Sequence, residues 1–290
     1  MSQPIGKLVV IGVGLIGGSF ALALRERGAV RRVVGIGRSQ ANLQEALKRG
    51  VIDEAAADYE AALKGADFVL LAMPVGQTKQ VLGHMAPYLE AKTVVTDAGS
   101  TKQDVIEYAR GALGRALLRF VPGHPIAGAE ASGAAAARAD LYQGKTVVLT
   151  PLAETDRQAL ETARSAWSAT GARVSEMPAA EHDRLLAAVS HFPHVLAYAL
   201  MCEIAGRDDC AILLQLAGSG FRDLTRIAGS SPEMWRDIVF SNRAAVLAEL
   251  AAFEARLEEV RALVQAGDGT ALARMFGRAR EARRLFGTCK

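Results

Sequence analysis

Leu8-Val9-Val10-Ile11-Gly12-Val13-Gly14-Leu15-Ile16-Gly17 is an apolar run that ends in three spaced glycines, and the chain then resumes as an apolar helix over residues 15–24. A strand, a glycine turn and a helix in that order build a pyrophosphate site. Gly12 permits the tight turn, Gly14 lets the backbone approach the phosphates, and Gly17 lets the helix pack closely. The free N–H groups at the helix start, on Leu15 and Ile16, face the anion.

Outward from this turn, short β-branched runs alternate with helical stretches: 8–12, 32–36, 68–72, 93–97, 118–121 and 146–150. Runs apolar on successive residues are buried on both faces, as in a parallel sheet with helices on each side. The fold class is therefore α/β, with a doubly wound, Rossmann-type nucleotide-binding domain over residues 1–175. From residue 179 the strand runs vanish, and residues 176–290 form an all-helical half punctuated by Pro178 and Pro232. Val246, Leu250, Phe253, Leu257, Val260 and Val264 recur at steps of four and three, one seam on a long helix that faces either core or a second subunit.

NAD-using domains usually carry an acidic residue roughly 20 positions past the last glycine to hold the ribose 2′-hydroxyl. This chain has Gly37-Arg38-Ser39 there. Arg38 can pair with a 2′-phosphate and Ser39 can donate to it, so NADP is the expected cofactor, with NAD as the alternative.

Composition excludes several classes. The net charge of +3 comes from basic residues scattered along the chain, which gives nucleic acid no patch to bind. The three cysteines form no CxxC pair, and no histidine stands at metal-ligand spacing, so free thiols in a reducing cytoplasm are expected and no metal. No export signal precedes the first strand, and no apolar stretch is expected to reach the roughly 18 residues of a membrane span.

Further motifs sit where ligands of open α/β sheets bind, past the carboxyl ends of strands. In Asp97-Ala98-Gly99-Ser100-Thr101-Lys102-Gln103, Ser100 and Gln103 have capping-box spacing, and the serine hydroxyl can instead face the cofactor cleft. His124 lies in Gly123-His124-Pro125-Ile126-Ala127-Gly128, held by Pro122 and Pro125, and an imidazole suits proton acceptance near neutral pH. In the helical half stand Ser190-His191-Phe192-Pro193-His194 and a segment opening Gly220-Phe221-Arg222-Asp223-Leu224-Thr225-Arg226 and running on through Ser231, Pro232 and Trp235. Arg222 and Arg226, four apart, share a helix face and can grip a carboxylate.

Taken in order, these motifs resemble those of the prephenate and arogenate (cyclohexadienyl) dehydrogenases of tyrosine biosynthesis, over residues 7–240. The resemblance implies oxidative decarboxylation of a cyclohexadienyl substrate, with His124 taking the C4 hydroxyl proton and Ser100 orienting it. It also implies that His194 and His191 line the substrate pocket, that Arg226 with help from Arg222 pairs with a substrate carboxylate, and that Glu130 stands at the pocket mouth. A cytoplasmic homodimer joined through the helical domain is implied as well.

Two other readings stay open. One is a β-hydroxyacid or imino-acid dehydrogenase, which commonly uses a lysine of the helical half, whereas this chain has none between Lys145 and Lys290. The other is an NADP-sensing protein without catalysis, which has no need of His124, Ser100 and Arg226 together.

Overall fold

The computed structural model describes residues 4–129 and 131–288. In chain order its elements are β1 (Ile5–Ile11), α1 (Leu15–Glu26), β2 (Val30–Ile36), α2 (Gln40–Lys48), β3 (Glu54–Ala55), α3 (Tyr59–Leu63), β4 (Phe68–Leu71), α4 (Thr78–Met85), β5 (Val94–Asp97), α5 (Gln103–Ala112), β6 (Phe120–Val121), β7 (Gly123–Pro125), β8 (Thr146–Leu149), α6 (Arg157–Ala169) and β9 (Arg173–Glu176). Helices follow to the end: α7 (Ala179–Leu186), α8 (Phe192–Ala205), α9 (Cys210–Leu216), α10 (Ser219–Thr225), α11 (Pro232–Ser241), α12 (Arg243–Ala266) and α13 (Gly269–Thr288). The chain divides into two compact units, 1–243 and 244–290.

Six parallel strands make the main sheet in the order β3-β2-β1-β4-β5-β6. The doubly wound reading holds because alternate residues of one strand serve opposite faces. Leu8 and Val10 of β1 join a cluster with Phe20, Leu24, Tyr142 and Trp167, while Val9 and Ile11 join Leu63, Leu82, Val105 and Phe120 on the other side. Phe20 and Tyr142 both meet the Trp167 ring edge-on, at centroid distances of 4.6 and 5.5 Å. Strand order reverses between β1 and β4, and a crevice opens at such a switch point past the carboxyl ends of the strands.

The run 146–150, expected in the parallel sheet, lies elsewhere. It forms β8, which pairs antiparallel with β7 and parallel with β9 in a separate three-stranded sheet. The cause is Pro122. It lacks the N–H that would extend β6, so the chain leaves the main sheet there and His124 falls on β7, opposite Val148.

A second expectation also needs correction. A π-helical turn over Ala187–His191 joins α7 to α8, so that Ala179–Ala205 is one continuous helical run long and apolar enough, by length and composition, to cross a membrane. The same run carries His182, Asp183 and His191, all buried in the protein. A core helix passes that test as readily as a membrane span does.

In the second unit, α12 and α13 are joined at Gly267, whose φ is +67°. Of its described side chains Val246 alone is buried, and Leu257 and Val264 of the apolar seam are exposed.

Candidate active site

At the glycine turn the three positions have three different surroundings. Gly12 has φ +96°, and a Cβ there would lie 2.7 Å from the backbone of Ala72 and Met73. At Gly17 a Cβ would lie 2.4 Å from the Gly12 carbonyl, so the helix is locked against the turn. A Cβ at Gly14 would meet nothing within 4 Å. Helix α1 starts there with no side-chain cap and no acidic residue in its first turn, which leaves its N–H groups and dipole for an anion. Asn42 clips the turn in place: its Nδ2 donates to the Val13 carbonyl (2.6 Å) and its Oδ1 accepts from the Ala134 N–H (2.8 Å).

From the turn a cavity of about 760 Å³ runs along the carboxyl edge of the sheet past Arg38, Ser39, Asp58, Tyr59, Met73 and His84. Its size and its bare helix start fit a dinucleotide. Arg38 is exposed and has no hydrogen bond or ion pair among the described residues. Ser39 caps α2, accepting from the Asn42 N–H at 3.2 Å, and its own hydrogen stays free to donate. Leu15 and Ile16 supply the first two helical N–H groups; the Ile16 carbonyl is taken by the Tyr142 hydroxyl (2.6 Å).

Past the end of β5 the interior turns polar. The Lys102 ammonium, fully buried, donates to the Asp97 carboxylate and to the Gly123 carbonyl (2.7 Å). Asp97 in turn accepts the Gly123 N–H (3.0 Å) and the Gly99 N–H (2.8 Å). The backbone just before His124 is thus gripped from both sides. His124 is buried; its Nδ1 lies 2.8 Å from His182 Nε2, and His182 Nδ1 lies 2.8 Å from an oxygen of Asp183. Burial first, then the neighbouring His182, Lys102 and His191, hold His124 well below the ordinary histidine pKa, so it stands neutral.

Asp183 also accepts the backbone N–H groups of Lys102 and Gln103, each at 2.9 Å. Burial pushes its carboxyl up, but those bonds and the one from His182 outweigh this and hold it below the usual range. Asn242 donates from Nδ2 to the Asp183 carbonyl (2.7 Å), and the same atom lies 3.1 Å from His191 Nδ1.

The expected capping box is absent. Helix α5 takes its cap from Asp183, some 80 residues downstream, because a carboxylate accepting two N–H groups satisfies the helix start better than one hydroxyl. Ser100 is half-buried; its hydroxyl makes no hydrogen bond to His124 or to any other described residue, and its backbone faces the His191 ring. His182 holds the His124 ring in its place.

His191 is fully buried, and burial lowers its pKa to about 4. Its ring is closed in by Asn242, 3.1 Å from its Nδ1, and by Trp235, which it meets edge-on. His194 is half-buried and stacks on Trp235, centroids 3.5 Å apart and planes 18° from parallel, with Nδ1 fastened to the Ser190 carbonyl (2.9 Å). Burial and then the charge of Arg226 lower its pKa, so Arg226 stands near that ring. Arg222 and Arg226 are exposed, one turn apart at the end of α10. Glu130 lies outside the described residues.

Two family models match the chain in series: the nucleotide-binding domain of prephenate dehydrogenase over residues 20–176 and the prephenate dehydrogenase dimerization domain over residues 178–278. The chain belongs to the prephenate dehydrogenase family. A prephenate dehydrogenase of Bacillus subtilis is 38% identical over 98% of this chain and 76% of its own length. A cyclohexadienyl dehydrogenase of Zymomonas mobilis is 36% identical over 95% and 94%. Among solved structures, the prephenate dehydrogenase of A. aeolicus in complex with hydroxyphenyl propionate and NAD+ superposes with TM-score 0.92 at 33% identity, covering 99% of this chain and 100% of that one. The arogenate dehydrogenase of Synechocystis superposes with TM-score 0.81 at 31% identity, covering 97% and 99%.

This prephenate dehydrogenase family member is an oxidoreductase with a nucleotide-binding domain. Its polar interior includes side chains to which the sequence assigns no role: His182, Asp183, Asn242 and the buried Lys102. The adjacent His182 and Asp183 of α7 are costly to bury unless they are paired, but nothing near them in sequence announces that they are buried.

Proposed function

We propose that this enzyme oxidatively decarboxylates prephenate, arogenate or both, giving 4-hydroxyphenylpyruvate or tyrosine, with His124 as the general base. The observation that carries the assignment is the neutral, buried His124 at the carboxyl edge of a dinucleotide-binding sheet, with Nδ1 engaged by His182. Its Nε2 is then the lone pair available to substrate, and it takes the proton as the O–H bond at C4 breaks. When bound, the nicotinamide accepts the hydride that C4 loses. The bond from C1 to its carboxylate breaks, carbon dioxide leaves, and the electron pair completes the aromatic ring. Because aromatisation drives the reaction, the protein's part is positioning and charge placement.

Ser100 donates its free hydroxyl to the C4 oxygen, Arg226 pairs with a substrate carboxylate with Arg222 beside it, and His194, held flat on Trp235, lines the ring. His191 supports this wall from beneath, and Glu130 belongs to the mouth. Replacing His124 by Asn is expected to lower kcat by about 10²–10⁴ with cofactor affinity unchanged. Near-normal turnover refutes the assignment. Steady-state kinetics with both substrates and both cofactors give four kcat/KM values that fix substrate and cofactor preference together.

For the cofactor, Arg38 at the end of β2, with no carboxylate beside it in sequence, favours NADP. NAD is the second reading, favoured by Asp58, an acceptor on the same cavity, and by NAD+ in the A. aeolicus complex. Arg38→Ala separates them: it raises KM for NADP alone if Arg38 meets a 2′-phosphate. In this reading residues 1–175 are the dinucleotide-binding domain and residues 176–290 the helical substrate and dimerisation domain. A homodimer is supported by the dimerization-domain match and by Ile212, Leu216 and Leu224, exposed on α9 and α10. Sedimentation at a protomer's mass refutes it. A cytoplasmic location accords with the free thiols Cys202 and Cys210.

A further inference from the structure

Behind His124 the protein buries more polar chemistry than a lone base requires. A carboxylate can only accept, so the 2.8 Å contact obliges His182 to donate from Nδ1 to Asp183. A neutral His182 then has only a lone pair at Nε2, and the second 2.8 Å contact obliges His124 to donate from Nδ1. With His182 neutral, these two distances set the tautomer of His124: hydrogen on Nδ1, lone pair on Nε2. Asp183 itself cannot swing away, because its two oxygens also hold the first N–H groups of α5.

We propose that His182 and Asp183 are positioning residues that lock His124 in the Nδ1–H tautomer and carry part of the positive charge when its Nε2 takes the substrate proton. The proposal rests on the reading of His124 as the base. The proton count closes: the substrate O–H bond breaks, the Nε2–H bond forms, and the Nδ1 proton of His124 is drawn along its hydrogen bond toward His182. Asp183 stays ionised and faces the charged imidazole pair. The groups around His124 make sharing necessary, since burial, a charge on His182, Lys102 and His191 all oppose a cation localised on His124, and Asp97 is already taken up by Lys102, which leaves Asp183 to face the charge. Serine hydrolases arrange a carboxylate behind one imidazole in the same sense, and a wrong tautomer there costs about 10⁴ in kcat. Here two imidazoles stand in line.

Two substitutions and one spectrum test this. In His182→Gln, the side-chain oxygen still accepts from His124 and the amide still donates to Asp183, so the tautomer is kept while the charge-sharing ring is lost. In His182→Leu, both are lost. The expected order of kcat is wild type, then Gln, then Leu, with Leu down by about 10²-fold or more and cofactor affinity unchanged in both. The acid limb of kcat/KM should also move in the Leu variant, because the charges facing His124 change. Equal kcat and equal pH profiles for wild type and Leu overturn the proposal.

The third measurement needs no turnover. Ring ¹⁵N shifts of the wild-type protein at pH 7.5, with His124 assigned by its loss in His124→Asn, should show a protonated Nδ1 and a bare Nε2. The reverse pattern overturns the proposal even if His182→Leu does not fold. An inactive wild type that shows the expected shifts refutes the assigned reaction and leaves the relay standing.

Discussion

Lys102→Met removes one charge from the driest part of the site and gives the sharpest energetic test. The two side chains of the Lys102–Asp97 pair are 0% and 3% exposed, so water cannot replace either partner. In the variant, Asp97 keeps the N–H groups of Gly99 and Gly123 but loses its countercharge, and the Gly123 carbonyl loses its donor. Breaking such a pair from one side costs about 3–5 kcal/mol. That is a large share of the roughly 5–15 kcal/mol that holds an ordinary domain together. Urea unfolding followed by fluorescence should show the midpoint falling with the slope unchanged.

The double variant Lys102→Met/Asp97→Asn leaves no charge at this pair and should recover most of the loss, a coupling of about 2–3 kcal/mol in the double-mutant cycle. A second consequence has a fixed sign. The Lys102 charge disfavours a cation on His124, so removing it raises the His124 pKa and moves the acid limb of kcat/KM to higher pH. A loss below about 1 kcal/mol, or additive single variants, would falsify the account of this pair.

Other outcomes follow from the same geometry. In the wild type the acid limb of kcat/KM should lie below about pH 6.5, the ordinary histidine value, because His124 stays neutral there; a limb above it refutes the burial argument. His191 has a folded pKa of about 4, below its unfolded value, so the unfolded chain takes the proton first. Its contribution is whole above about pH 6.5 and is lost toward pH 4, by up to about 3 kcal/mol; urea midpoints that stay flat over this range contradict it. Gly12→Ala puts a Cβ 2.7 Å from backbone at φ +96°, and cofactor titration should show weakened binding along with a lower Tm. Arg226→Ala should raise the substrate KM by about tenfold or more, equivalent to the 1.4 kcal/mol or more of a lost charge-assisted bond; an unchanged KM transfers that contact to Arg222.

The sequence carries the fold where periodicity and glycine chemistry are local. Successive apolar residues in β1, β2, β4 and β5 announce strands buried on both faces, and the glycine turn announces what lies at their carboxyl edge. It misleads where one residue redirects the chain. Thr146–Leu149 is a strand, but whether it extends the main sheet depends on Pro122 ending β6 two dozen residues earlier, which no window around residue 146 contains. The membrane-length helix was hidden for a similar reason: the π turn at Ala187–His191 lets two ordinary helices run on as one.

The site divides in the same way. His124, with a proline on each side and a strand behind it, is legible because its environment is built by neighbours in sequence. His182 and Asp183 are not, because what makes them matter lies 58 residues away at His124 and 81 residues away at Lys102. Within α7 they read as a solvated pair near a helix start, the cheapest place for them. Burial reverses that reading, since an imidazole and a carboxylate taken out of water together must satisfy each other and then their neighbours. Each carboxylate oxygen of Asp183 is engaged by a donor that serves His124 or the start of α5. One carboxylate thus fixes both the loop that carries Ser100 and the ring that takes the proton. A substitution at Asp183 will therefore disturb rate and stability together, whereas one at His182 can separate them.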